Sequence, residues 1–160
     1  MSFEFVATLD PRFCVRRTRA GEVVVPVPSD DGVCVAPSRI RGAGDGLFAA
    51  RPHARGALLA VYAGAPLRTL AALRLRDKAY LMRLGPQCYI DAREHAGVLA
   101  RYINDACGRA WTNAEFEKRP EDAPPRALVI AARDIDAGEE IYVDYGRWYW
   151  ASGRGNTPDS

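Results

Sequence analysis

Apolar and polar positions alternate in short runs along most of this chain, and short runs with period two predict strands. Phe3 to Thr8, Phe13 to Arg17 and Val23 to Val27 are β-rich pieces, broken by Pro11, Gly21, Pro26, Pro28 and a Ser29-Asp30-Asp31-Gly32 turn. After the turn at Arg55-Gly56, Leu58 to Tyr62 is an apolar strand. Tyr80 to Leu84 and Cys88 to Asp91 flank a turn at Gly85-Pro86, and Ala127 to Ile135 has the unbroken apolar content of a buried strand. The segment Gly138 to Gly146 alternates: Ile141, Val143 and Tyr145 fall on one face, Glu140, Tyr142 and Asp144 on the other. Helical spacing is confined to residues 67 to 79, where Leu67, Leu70 and Leu73 or Ala71 oppose arginine-rich positions, and to a shorter stretch from Ala96 to Asn104. Residues 118 to 126 read as a surface loop and residues 151 to 160 as a disordered tail. The pattern describes a mainly β fold with short helices.

Composition narrows this picture. The 160 residues suit one domain with a real core. No apolar run approaches a membrane span, and the first ten residues lack the basic start and apolar block of a signal peptide. Cys14, Cys34, Cys88 and Cys107 form no C-x-x-C pair, so neither a zinc site nor a disulfide framework is expected, and a reducing, intracellular setting is. A net charge of +2 gives no reason to expect direct nucleic-acid binding. Of the 22 basic residues only Lys78 and Lys118 are lysines. A GC-rich genome accounts for that as simply as any function does.

Candidate chemistry is faint when each signal stands alone. Gly44-x-Gly46 lacks the continuation of a nucleotide-binding loop. His53 and His95 have no partners at metal-ligand spacing and are expected at the surface; no metal site is expected. Asn104-Asp105 would ordinarily end a helix, and a tyrosine ending an apolar strand face is most simply core. One internal echo stands out. Ala50-Arg51, Gly56, Tyr62 and Gly64 are followed much later by Ala132-Arg133, Gly138, Tyr145 and Gly146, which suggests two strand-turn-strand units of similar build.

Taken in order, the motifs are more specific. G-A-G-D-G-L-F-A (Gly42 to Ala49), V-Y-A-G (Val61 to Gly64), A-Y-L (Ala79 to Leu81), Y-I-D-A (Tyr89 to Ala92), R-Y-I-N-D-A-C (Arg101 to Cys107) and A-x-R-D-I-x-A-G-E-E-I-x-V-D-Y-G (Ala131 to Gly146) together resemble the SET-domain family of protein lysine methyltransferases. The resemblance covers roughly residues 38 to 150, with residues 1 to 37 as a leading β-rich part of the same domain. It is to the compact type without flanking zinc-binding segments. Asp105 stands where the family's pattern usually has histidine.

The resemblance implies a SET fold with a C-terminal pseudoknot, in which the strand after Arg101-Tyr102-Ile103-Asn104 lies beside Gly138 to Gly146. It implies S-adenosylmethionine as methyl donor, met by Gly44, Asp45, Gly46, Tyr80, Arg101, Asn104, Asp105 and Tyr145, with Tyr149 and Trp150 covering the adenine. Tyr145, with Tyr80, would be catalytic, and Tyr62, Tyr80, Val143 and Tyr145 would wall a channel for the lysine. Aromatic walls hold an alkylammonium by cation–π attraction. Valine at position 143, smaller than the family's aromatics there, implies room for di- or trimethylation. The partner would be a protein presenting a lysine, a histone tail by family default, met in the cytoplasm, or in the nucleus of a eukaryotic or viral host, by a monomer or homodimer. A non-catalytic module that binds a peptide or the donor without turnover is the alternative from another class.

Overall fold

A computed structural model of the chain describes residues 13–26, 32–107 and 110–146. The expected strand Phe3 to Thr8, the aromatics Tyr149 and Trp150 and the tail lie outside these residues. The described chain is mainly β, as the alternating pattern predicts. Twelve short strands occur among the described residues: β1 (Phe13–Thr18), β2 (Gly21–Pro26), β3 (Val33–Pro37), β4 (Asp45–Ala49), β5 (Leu58–Tyr62), β6 (Ala65–Leu67), β7 (Leu81–Gly85), β8 (Cys88–Asp91), β9 (Asn104–Asp105), β10 (Ala114–Arg119), β11 (Arg126–Ala131) and β12 (Tyr142–Val143). One helix, α1 (Thr69–Arg74), and a 3-10 turn (Leu99–Tyr102) complete the described elements.

Three antiparallel groups frame the core. β11 is the centre of a β10-β11-β5 sheet, and its unbroken apolar run Ala127 to Ala131 is what a strand paired on both edges and packed on both faces requires. β10 reads A-E-F-E-K-R, with four of its six residues charged, and is an edge. β7 is likewise an edge, of the β6-β8-β7 sheet. β3 pairs with β4, so residues on both sides of position 38 share one sheet. The parallel pair is β9 with β12, Asn104 opposite Tyr142 and Asp105 opposite Val143, which sets side by side the two segments the family resemblance makes neighbours. Leu47, Leu59, Ile90, Ile103, Ile135 and Ile141 are fully buried between these groups.

The internal echo has a structural counterpart. The two repeated segments run against each other: His53 and Ile135 exchange backbone hydrogen bonds of 2.8 Å each, Gly56 N donates to Ala131 O, and Gly138 N donates to Ala49 O. Gly56 and Gly138 both sit at φ +83, a turn conformation that costs a glycine little and other residues more.

Several elements differ from the sequence pattern. Residues 67 to 79 do not form one helix: Ala65–Leu67 is taken by β6 pairing with β8, and α1 spans six residues with only Ala72 buried. Leu70 and Leu73 are 70% and 58% exposed, so the apolar stripe meets no partner face in the described chain. Ala96 to Asn104 contracts to the 3-10 turn, and the strand expected to reach Ile135 ends at Ala131. Gly138 to Gly146 is regular strand only at Tyr142–Val143, because β4, β9 and Asn113 each claim a different part of its backbone. His53 is not a surface residue; it is buried, with Nε2 2.8 Å from Gly32 O.

Candidate functional site

Tyr145 marks the site because the stretch from Ile103 to Ala106 fixes its strand and its ring. The parallel β9–β12 pair continues as Ala106 N donating to Val143 O at 3.0 Å, which carries the chain on to residues 144–146 beside residues 105–106. Asp105, buried, spends its carboxylate on two backbone groups: Cys107 N donates to Oδ1 at 2.6 Å and Tyr145 N to Oδ2 at 3.2 Å. The Tyr145 hydroxyl donates to Ile103 O. The residue is therefore held at its backbone by one end of the three-residue stretch Ile103 to Asp105 and at its phenol by the other. Asp105, out of place in the motif as a sequence, is explained as the anchor of Tyr145.

Behind this lies a carboxylate that the strand pattern gave no role. Glu140 is 2% exposed and accepts from Ser38 Oγ (2.7 Å), Arg39 N (2.7 Å), Tyr142 OH (2.6 Å) and Asn104 Nδ2 (3.3 Å). Its own carbonyl accepts from Asn113 Nδ2 at 2.9 Å, and Asn113 Oδ1 accepts from Tyr142 N at 2.8 Å. Burial, then the hydrogen bond to Glu140 and its charge, push the Tyr142 phenol well above the ordinary tyrosine value. Gly46 makes room for this hub: a Cβ there would lie 2.3 Å from Glu140 Oε1. Gly44 differs, holding φ +74 with nothing within 4 Å of where a Cβ would be, so the loop face around it is open. Asn104 Nδ2 also donates to Asp45 O at 3.0 Å, tying the glycine loop to β9.

On the other side of Tyr145 opens a cleft of about 970 Å³ between the edge strands β7 and β10. Tyr62, Arg101, Phe116, Asp144 and Tyr145 line it. Tyr62 and Phe116 meet edge to face, ring centres 5.9 Å apart, and the Tyr62 hydroxyl donates to Tyr80 O at 2.8 Å. Tyr80 itself does not line the cleft; its ring lies 4.3 Å beneath the Arg101 guanidinium. Arg101 Nη1 donates to Ala92 O and Arg93 O, while its Nε is buried without a partner. Val143 is fully buried in the core and is not part of the cleft lining.

The structure thus gathers Tyr62, Arg101 and Tyr145 on the cleft, with Tyr80 directly behind Arg101. It gathers Asp45, Gly46, Asn104 and Asp105 at the junction behind Tyr145. Glu140, Asn113 and Phe116 are additions. Neither Glu140 nor Phe116 had a local signal: a carboxylate on an alternating strand reads as its polar face, and an aromatic there as ordinary core. Among the described residues no group of three His, Cys, Asp or Glu side chains could hold a metal ion, and no helix is long and apolar enough to cross a membrane.

Comparison with known proteins places the family and the fold. The model of the SET domain family matches residues 44–146. The histone-lysine N-methyltransferase trr of Drosophila melanogaster is 33% identical over 72% of this chain and 5% of its own length. The N-lysine methyltransferase KMT5A-A of Xenopus laevis is 30% identical over 67% of this chain and 34% of its own. A solved structure, ctPRC2 in an autoinhibited conformation bound to S-adenosylmethionine, superposes with a TM-score of 0.59 at 26% identity, over 74% of this chain and 15% of that one. The chain spans about a third or less of the length of these relatives.

Proposed function

The chain belongs to the SET-domain family, and on that premise we propose that it transfers methyl groups from S-adenosylmethionine to the side-chain amine of a lysine in a protein. The observation that carries the proposal is Tyr145, fixed at both ends on the wall of an aromatic cleft. The residues present fit the donor. Asn104 commits its amide nitrogen to Asp45 O and Glu140, which leaves the amide oxygen to accept from an ammonium. Arg101 Nε is a buried donor lacking an acceptor, suited to a carboxylate, and the open face at Gly44 admits close backbone approach. When bound, S-adenosylmethionine would supply an electrophilic methyl on a sulfonium.

The protein's own part is alignment and desolvation. A free lysine has a pKa near 10.4, and only its neutral amine attacks; the apolar walls of Tyr62 and Phe116 favour loss of that proton. The Tyr145 hydroxyl then orients the amine for in-line displacement, a positional contribution. We also propose di- or trimethyl products. The Tyr62 hydroxyl already donates to Tyr80 O and Phe116 carries none, so these two walls offer no hydroxyl proton to hold a water where a methyl would go; Val143, buried behind the lining, takes no part. The names of the relatives make histones the first proteins to test, in the cytoplasm or nucleus.

Incubation with labelled S-adenosylmethionine and lysine-bearing proteins, followed by mass spectrometry, tests both proposals. Tyr145→Phe is expected to lose most turnover while keeping donor affinity by calorimetry. A variant with the kcat of the unaltered protein would refute the role of Tyr145, and exclusively monomethyl product at exhaustion would refute the second proposal.

A further inference from the structure

The cleft is electrically uneven along its length. At the Tyr145 end it is lined by Asp144 and, where β10 begins, by Glu115. Asn113 ties the start of β10 to Tyr142, and Lys118 lies four residues beyond Ala114, roughly 13 Å away at about 3.3 Å per residue. There it meets Arg83 of β7, which lines the same cleft from the opposite edge. Burial, and next the Arg83 charge, hold the Lys118 ammonium below the ordinary lysine value. Neither cation forms an ion pair among the described residues, and the Arg83 side chain reaches only Gly85 O, at 3.5 Å. The carboxylates nearest in sequence are engaged elsewhere, Glu117 with Arg119 and Glu121 towards Arg119.

Two like charges facing each other across a cleft are relieved by an anion placed between them. A lysine presented to Tyr145 gains from Asp144 at its own end. We infer that the cleft selects an extended segment in which the target lysine is followed or preceded, three or four residues away, by an aspartate or glutamate that pairs with Arg83 and Lys118. The spacing follows from the 13 Å estimate and the rise of an extended chain. This rests on the methyltransferase reading and narrows its substrate class: an all-basic tail would set like charge against the two cations.

The test uses the full chain, labelled S-adenosylmethionine and peptides with one lysine, identical except for glutamate or arginine three and four residues to either side. The acidic peptide of one polarity should have a kcat/KM at least about tenfold above its basic twin, a gap that narrows near 1 M salt, where screening acts over roughly 3 Å. The double variant Arg83→Glu, Lys118→Glu should reverse the preference while donor affinity and thermal midpoint stay close to the unaltered protein. Equal or better turnover of the basic peptides, or a preference the double variant leaves unchanged, overturns the inference. If no peptide or protein accepts label, the methyltransferase reading fails instead. Peptide binding by fluorescence anisotropy then decides the charge preference alone: tighter binding of the acidic peptide upholds it and equal binding refutes it.

Discussion

Replacing Asp105 by asparagine is the sharpest probe of how Tyr145 is held. The carboxylate accepts from Cys107 N on one oxygen and from Tyr145 N on the other, in a site 5% exposed. Asparagine keeps one acceptor. Whichever way its amide turns, an NH2 then faces a backbone N–H. Loss of one hydrogen bond to a charged group costs about 1.5–3 kcal/mol, and the 3.2 Å bond to Tyr145, the longer of the two, should be the one given up. Relief from burying an ionised group offsets part of that, so a net loss of about 1–2 kcal/mol is expected. At about 2–4 °C per kcal/mol for a chain of this size, the thermal midpoint should fall by roughly 2–8 °C. Turnover should fall further than stability suggests, about tenfold or more, because a loosened tyrosine is misaligned in every cycle. Differential scanning calorimetry, donor titration and single-turnover kinetics separate these effects. An Asp105→Asn protein with unchanged midpoint and unchanged single-turnover rate would show that Asp105 does not anchor Tyr145.

Three further outcomes follow from the polar contacts. The Tyr142 phenol, raised above its unfolded value near 10, contributes stability that is complete below that pH and is lost progressively as pH rises above it towards the higher folded value; urea unfolding from pH 8 to 11 should show the onset of the decline, shallower in Tyr142→Phe. Asp122→Ala strands the buried Arg126 guanidinium, paired at 2.9 Å, and should cost about 3–5 kcal/mol in denaturant titration; a change under about 1 kcal/mol would mean that water reaches the arginine. Asn104→Ala unties β9 from Asp45 and Glu140 and should weaken donor binding by about tenfold to a hundredfold; unchanged affinity in a folded variant removes Asn104 from the site.

Strands were readable where one local rule decided them. Leu58–Tyr62 runs where its apolar content places it, and Gly85-Pro86 turns where those residues suggest. Spacing over 67 to 79 cannot tell a buried stripe from an exposed one: Leu67 is taken by pairing with Tyr89, and the helix that remains, Thr69–Arg74, leaves Leu70 and Leu73 exposed. The alternating faces of Gly138 to Gly146 promised one dry side and one wet side. Both are buried from Glu140 to Val143, since Glu140 and Tyr142 satisfy polar atoms on Ser38, Arg39 and Asn113, residues distant in the chain. For the site, motif order brought out Tyr145, Asn104 and Arg101. The pairing of Asp105 with Tyr145 and of Arg83 with Lys118 depends on strand neighbours no local pattern reveals.

The fit of Glu140 against Gly46 constrains how this sequence can drift. A side chain at position 46 cannot be added while Glu140 keeps its place, since even a methyl would lie 2.3 Å from the carboxylate. Removing Glu140 first strands the donors of Ser38, Arg39, Tyr142 and Asn104. Each single step is therefore uphill, and only a joint change leads to another workable pairing. Positions 46 and 140 should accordingly be inherited as a unit, and a lineage that changed one should be found to have changed the other.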